Sequence, residues 1–242
     1  MATEYPVPET HELDALFASL NNWSRWGTDD QRGALNFLTD AHRVSATRLV
    51  ETGEALSLAH DLATDPMPEH PNPVQHHMLA SGDARDSNGI PGYEAARDHL
   101  ALDVHGLWTT HVDALSHMFV RGQMYGGRPA SDVRSDGARS NTVLTLADGV
   151  VGRGVLLDIP RALGRPYLDT GEVVTVADLE AAEVAQGVRV GTGDILLVAW
   201  GREARKRSEK NTLSWAPMRS TAASRSGASA TTWPIFSRRI WV

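Results

Sequence analysis

Three histidines and an aspartate crowd into one stretch of this 242-residue chain: His105, His111, Asp113 and His117, all within a 13-residue run reading His-Gly-Leu-Trp-Thr-Thr-His-Val-Asp-Ala-Leu-Ser-His. Imidazole together with carboxylate suits Zn²⁺, Mn²⁺ or Fe²⁺. Side chains alternate faces along a strand, so a continuous strand would put the odd-numbered His105, His111 and Asp113 on one face. His111 and Asp113, at i and i+2, would then lie about 6–7 Å apart at their Cα atoms. His117 follows the short turn Ala114-Leu115-Ser116 and would fold back over the metal, as a further ligand or as an acid/base. The plain alternative for a single His beside an Asp is a hydrogen-bonded pair, and for His105 a strand histidine bonded to neighbouring backbone. Four such groups packed so densely are rarer than one pair, and spacing alone leaves the metal and the hydrogen-bonded alternative both open.

The elements that must hold these residues follow from periodicity. Residues 10–55 read as helical, with Leu13, Leu16, Phe17 and Leu20 at helical spacing and a break at Asn21–Gly27. Thr39 and Asp40 offer a cap for a second helix ending by Gly53. Residues 54–60 alternate around Leu56 and Leu58 and read as a strand ending at His60 and Asp61, two possible pocket-lining residues. Residues 64–98, rich in Pro and Gly, read as a long loop that carries His76 and His77 on the surface or over the site. Strands are expected over 100–113, 149–159 and 193–200. A helix between the last two should be capped by Thr175 with Asp178, close to a capping box, and closed by Gly187. Strands alternating with helices give a mixed α/β fold with a central β structure and flanking helices.

Bulk properties exclude several chemistries. There are no cysteines, hence no disulfide, thiolate ligand or Cys nucleophile. No apolar run approaches a membrane span, and the N-terminus lacks a signal-peptide pattern, so a cytoplasmic location without membrane partners is expected. The net charge of −7 argues against nucleic acid as main partner. Charge is nonetheless unevenly spread: residues 1–202 carry a net −13 and residues 203–242 a net +6. The division expected is therefore a domain over 1–202 and a divergent basic tail over 203–242. Only two of the 23 basic residues are lysine. No phosphate-loop, dinucleotide or Gly-x-Ser-x-Gly spacing is present.

Thr110-His111-Val112-Asp113-Ala114-Leu115-Ser116-His117 resembles the signature of the cyclase family of metal-dependent hydrolases, which includes bacterial kynurenine formamidases and isatin hydrolases. The family pattern is His-x-Gly-Thr-His-x-Asp-x-Pro-x-His. Trp26–Asn36, Gly122–Gly127, Arg153–Asp158 and Gly193–Val198 are similar to further family segments, so the resemblance runs over about residues 20–202. It implies His111 and Asp113 as metal ligands and His117 as the catalytic residue near the metal. Where the family has its first His this chain has Leu107, and His105 is the candidate substitute. Thr109 and Leu115 replace the family's Gly and Pro.

The resemblance implies a β/β/α swivelling-type fold, a homo-oligomer, a divalent metal cofactor (Mn or Zn) and a small-molecule substrate. The expected reaction is hydrolysis of an amide, formamide or cyclic amide by metal-activated water, arylformamidase-like and of the kind found in tryptophan catabolism. His117 would move the proton needed by the leaving amine. The family's later His-and-Glu block has no match here, because no histidine follows His117. A frameshifted or truncated gene would explain residues 203–242, which should then pack irregularly from about residue 205. Other readings are a catalytically impaired member that binds metal or a small molecule, a polyketide-type cyclase, and a binder of nucleic acid through the basic tail.

Overall fold

The computed structural model describes residues 10–67, 70–83, 90–106 and 108–211. The fold is mixed α/β, and the chain divides into two compact units, one of residues 53–112 and the other of residues 1–52 with 113–242.

The larger unit is organised around a βαβ element. β5 (Gly154–Asp158) pairs in parallel with β6 (Ile195–Ala199), Gly154 opposite Ile195 through Asp158 opposite Ala199. Between them run α3 (Ile159–Ala162) and α4 (Val176–Gln186). Parallel neighbours require such a crossover. The core comprises Val155, Leu157, Ile159, Leu168, Val174, Leu179, Ala182, Val190 and Leu196. Along β5 the period of two puts Val155 and Leu157 inside and Leu156 outside. The expected strands 149–159 and 193–200 thus form, trimmed at their ends.

α4 begins and ends as its sequence dictates. The Thr175 hydroxyl accepts from the Asp178 N–H, and the Asp178 carboxylate accepts from the Thr175 N–H at 2.7 Å, closing a capping box. Gly187 stops the helix at φ 65°, the left-handed conformation that favours glycine. The turn into β6 is held by Asp194, which accepts from the Gly191 N–H at 2.6 Å and from Arg153 Nη1 at 2.8 Å. In the same unit, α1 (Thr10–Leu20) and α2 (Asp40–Thr47) match the expected N-terminal helices, with Thr39 capping α2. α2 stops at Thr47, six residues before Gly53, because Arg48 and Leu49 close the last turn with short-range bonds to Ser45 and Ala46. Two short strands, β3 (Val133–Arg134) and β4 (Gly137–Ala138), form a tight hairpin.

Past β6, α5 (Arg202–Asn211) is helical where irregular chain was expected from about residue 205. The segment lacks an apolar face, but it is built from good helix formers. Arg205 lies 3.5 Å from Glu209 and Lys206 3.5 Å from Glu203, at spacings of four and three residues that bring side chains together on a helix. The expectation for residues 212–242 lies outside the described residues.

The smaller unit corrects three expectations. Residues 54–60 form no strand, their Leu56 and Leu58 being exposed. Within the supposed long loop, β1 (Gln75–Ala80) pairs antiparallel with β2 (Arg97–Ala101), with an irregularity between Met78 and Ala80. Pro71 and Pro73 precede β1, and Pro91 and Gly92 fall in the connection, so the breakers flank the strands. Finally, β2 ends at Ala101, and the described residues of 102–113 do not form the strand assumed for the histidine motif.

Candidate metal centre

Among the described residues of 105–117 no helix or strand forms, and local backbone geometry brings the chemistry of the segment together. His105, His111 and Asp113 each offer a ligand atom, and these atoms all lie within 4.8 Å of one another. The grouping expected from sequence is present, but strand alternation is not its cause. Gly106 has φ 154°, and the backbone bends at residues 106, 108 and 109. The rings of His105 and His111 meet edge to face, 5.2 Å between centroids.

The donor set fits a divalent cation of the Zn²⁺ or Mn²⁺ class: two imidazoles and a carboxylate. His111 shows a feature expected of a ligating histidine. Its Nδ1 lies 2.8 Å from the Thr109 carbonyl oxygen. A carbonyl can only accept, so Nδ1 carries the proton and Nε2 keeps its lone pair for a metal. Thr109 itself is buried, which fixes that carbonyl.

His117 stands beside this group, outside the trio. Its Nε2 is 3.9 Å from Asp113 Oδ2, with both side chains about one-third exposed. Its backbone N–H donates to the Ala114 carbonyl at 2.9 Å, closing the short turn anticipated over 114–116. An imidazole placed there can exchange protons with solvent and with a group held near Asp113.

The backbone under His117 is fixed by residues that the sequence did not mark. The Ser116 N–H donates to the carbonyl of Asn141 at 3.0 Å. Asn141 is fully buried, at φ 55°. Its N–H donates to Gln31 Oε1 at 2.7 Å and its Nδ2 to the Tyr125 carbonyl at 2.9 Å. Tyr125 in turn donates its hydroxyl to Asp30 Oδ2 at 2.8 Å. Asp30 also accepts from the Gly33 N–H at 2.9 Å and from Asn36 Nδ2 at 2.8 Å. Burial pushes the Asp30 carboxyl up, but bonds from Asn36, Tyr125, Gly33 and Arg32 outweigh it and hold it below the usual value. Burial, then the Asp30 bond and charge, push the Tyr125 phenol far up, against a small opposing effect of Arg128. Tyr125 therefore remains a neutral donor. Segments Trp26–Asn36 and Gly122–Gly127 carried the family resemblance, but nothing in their composition announced this network, and Asn141 gave no signal.

Three other histidines marked in the sequence lie outside this group. His60 stacks on Trp108 at 4.9 Å, and its backbone N–H donates to Thr110 Oγ1 at 2.9 Å. His76 and His77 lie on β1, not in a loop.

The family model Cyclase matches residues 31–238, well over half of the chain. The chain is also similar to the crystal structure of a novel cyclase, at 35% identity and TM-score 0.67, over 76% of this chain. It spans 63% of that chain's length. No curated protein matches the chain. The protein belongs to the cyclase family. The matched region continues past the composition change at residue 203.

Among the described residues, no helix is long and apolar enough to cross a membrane.

Proposed function

We propose that this chain is a metal-dependent hydrolase of C–N bonds, acting on an amide, formamide or cyclic amide in the manner of arylformamidases. The observation that carries the reading is the convergence of His105, His111 and Asp113 within 4.8 Å, with His117 beside Asp113. His105, His111 and Asp113 would hold the cation, with Mn²⁺ or Zn²⁺ the best matches. When bound, the cation supplies Lewis acidity toward water and a substrate carbonyl. His111 enters with its tautomer already set by Thr109. Asp113 brings the negative charge that offsets the cation and orients His117. His117 accepts or delivers the proton that the departing amine requires. The Asn141–Ser116 bond keeps that imidazole from drifting, and small displacements of a proton-transfer group are costly.

The test is metal content and turnover of N-formylkynurenine and isatin by the purified chain. His111→Ala and Asp113→Ala should each lose bound metal and activity, by more than the about 10–100-fold typical of losing an outer-shell partner. His117→Ala should keep the metal and lose turnover. Wild-type metal content in the His111→Ala, Asp113→Ala double variant would place the site elsewhere.

A second reading has its own observation: no histidine follows His117 in the sequence. A chain that binds Mn²⁺ or Zn²⁺ through His111 and Asp113 but turns over neither probe would be a binding member of the family. Turnover of a polyketide-like open chain into a ring would instead assign ring closure. A cytoplasmic homo-oligomer acting on a small molecule completes the proposal, with light scattering as the check on assembly.

A further inference from the structure

The hairpin of β1 and β2 carries imidazoles that the metal centre does not use. His77 and His99 are directly opposed across the ladder, their rings 4.8 Å apart at the centroids and inclined by 34°. Both are exposed. Their neighbours on the same face are the paired Gln75 and Ala101 on one side and, at the irregularity between Met78 and Ala80, Leu79 and Arg97 on the other. His76 and Asp98 occupy the other face and pair with each other at 3.1 Å.

We propose that His77 and His99 form a second metal site, made of imidazole alone and selective for late first-row divalent cations such as Cu²⁺, Ni²⁺ and Zn²⁺. Directly opposed residues of an antiparallel pair have Cβ atoms about 4.5–5.5 Å apart. Two nitrogens on one cation, each about 2.0–2.1 Å from it, stand roughly 3–3.5 Å apart in tetrahedral geometry. Rotation about χ2, a broad torsion for histidine, brings the facing ring nitrogens into that range without moving the backbone. Among the described residues of β1 and β2 this face carries no carboxylate, since Asp98 points with its partner to the opposite side. Arg97 adds a positive charge to the same face. Hard cations held mainly by charge, Mg²⁺ and Ca²⁺, therefore find nothing here, and Mn²⁺ stands lowest in affinity for nitrogen ligands. The remaining coordination positions face solvent, open to water or to an incoming donor. Two metal sites of different chemistry thus lie on the chain: one mixed imidazole–carboxylate group that accepts Mn²⁺, and one imidazole pair that does not.

The experiment loads the full chain with Mn²⁺ and then titrates it with Ni²⁺ or Cu²⁺, following heat and the imidazole resonances. Cu²⁺ should broaden the His77 and His99 signals in the His111→Ala, Asp113→Ala variant, where the mixed centre does not compete for the ion. His77→Asn and His99→Asn should each weaken this binding by ~10-fold or more. The double variant should lose no more than either single one, because both remove the same site. His76→Asn, on the other face, should leave it unchanged. The proposal is overturned if the broadening falls on other histidines, if either single variant binds Ni²⁺ as the unaltered chain does, or if His111→Ala with Asp113→Ala removes all Ni²⁺ binding.

Discussion

Asp30 shows how a charge far in sequence from the candidate metal-binding residues sets the local structure behind His117. Its carboxylate gathers the Arg32 and Gly33 N–H groups, Asn36 and the Tyr125 hydroxyl. Because its folded pKa lies below the ordinary value, ionised Asp30 stabilises the fold above the unfolded pKa of about 4, and this contribution disappears as pH falls through the folded value. Asp30→Asn should therefore destabilise the protein at neutral pH, by about 1–3 kcal/mol. The gap between the two proteins, read from urea midpoints, should shrink below about pH 4. A gap that stays constant from pH 7 to pH 3 would mean that the charge is not what matters. The residue scale also marks a limit of the sequence. His111 and Asp113 were legible because their side chains are themselves the chemistry. Their grouping with His105 was anticipated for the wrong reason, since no strand runs through 102–113. Asn141 was not legible at all. Its role comes from a buried backbone carbonyl and a left-handed φ, properties of its place in the fold.

At the scale of elements, legibility followed how local the causes were. α4 could be read to its ends because its capping box and its terminal glycine are sequence-local devices. β5 and β6 were legible as apolar runs, as expected for strands of a buried parallel pair. The hairpin of β1 and β2 was hidden because its strands are short, polar and exposed, without alternation, and sit among prolines and glycines. Gly201 marks another element boundary where a small residue is required. It links β6 to α5 at φ 74°, and a Cβ there would stand 2.7 Å from Tyr167 Cα and 2.8 Å from the Pro166 carbonyl oxygen. Both neighbours are backbone and cannot swing away. Gly201→Ala should cost about 1–3 kcal/mol from the conformation alone, with the clash adding to it. The core offers a comparison: Leu157 is 1% exposed, and Leu157→Ala should cost about 2–5 kcal/mol. Thermal melts of both variants measure these losses. A Gly201→Ala protein as stable as the parent would show that the β6–α5 junction relaxes freely.

The molecule as a whole divides its apolar burial unevenly. Nine buried residues form one cluster around β5, α4 and β6. In the unit of residues 53–112, the buried hydrophobic side chains among the described residues are Val74 and Ala80. Meanwhile Leu56, Leu58, Leu79, Leu100 and Tyr93 are all more than half exposed. Burial of apolar area is the main force offsetting the entropy of ordering the chain, and a two-stranded hairpin by itself is marginal in water. Hydrogen exchange should therefore be much faster in β1 and β2 than in β5 and β6, by ~100-fold or more at neutral pH, through local opening. Metal should act selectively on this contrast. A cation bound through His105, His111 and Asp113 stabilises the states that hold those groups together, by RT ln(1 + [metal]/Kd). Adding Mn²⁺ should slow exchange across residues 105–113 and leave β5 and β6 unchanged, since those strands open only with the core. Equal protection of both strand pairs in the metal-free protein would overturn this division and would require a cover over Leu79 and Leu100, such as a second copy of the chain. Diluting the protein while following exchange at those two amides separates the cases: protection supplied by a second copy falls with concentration, and protection intrinsic to the hairpin does not.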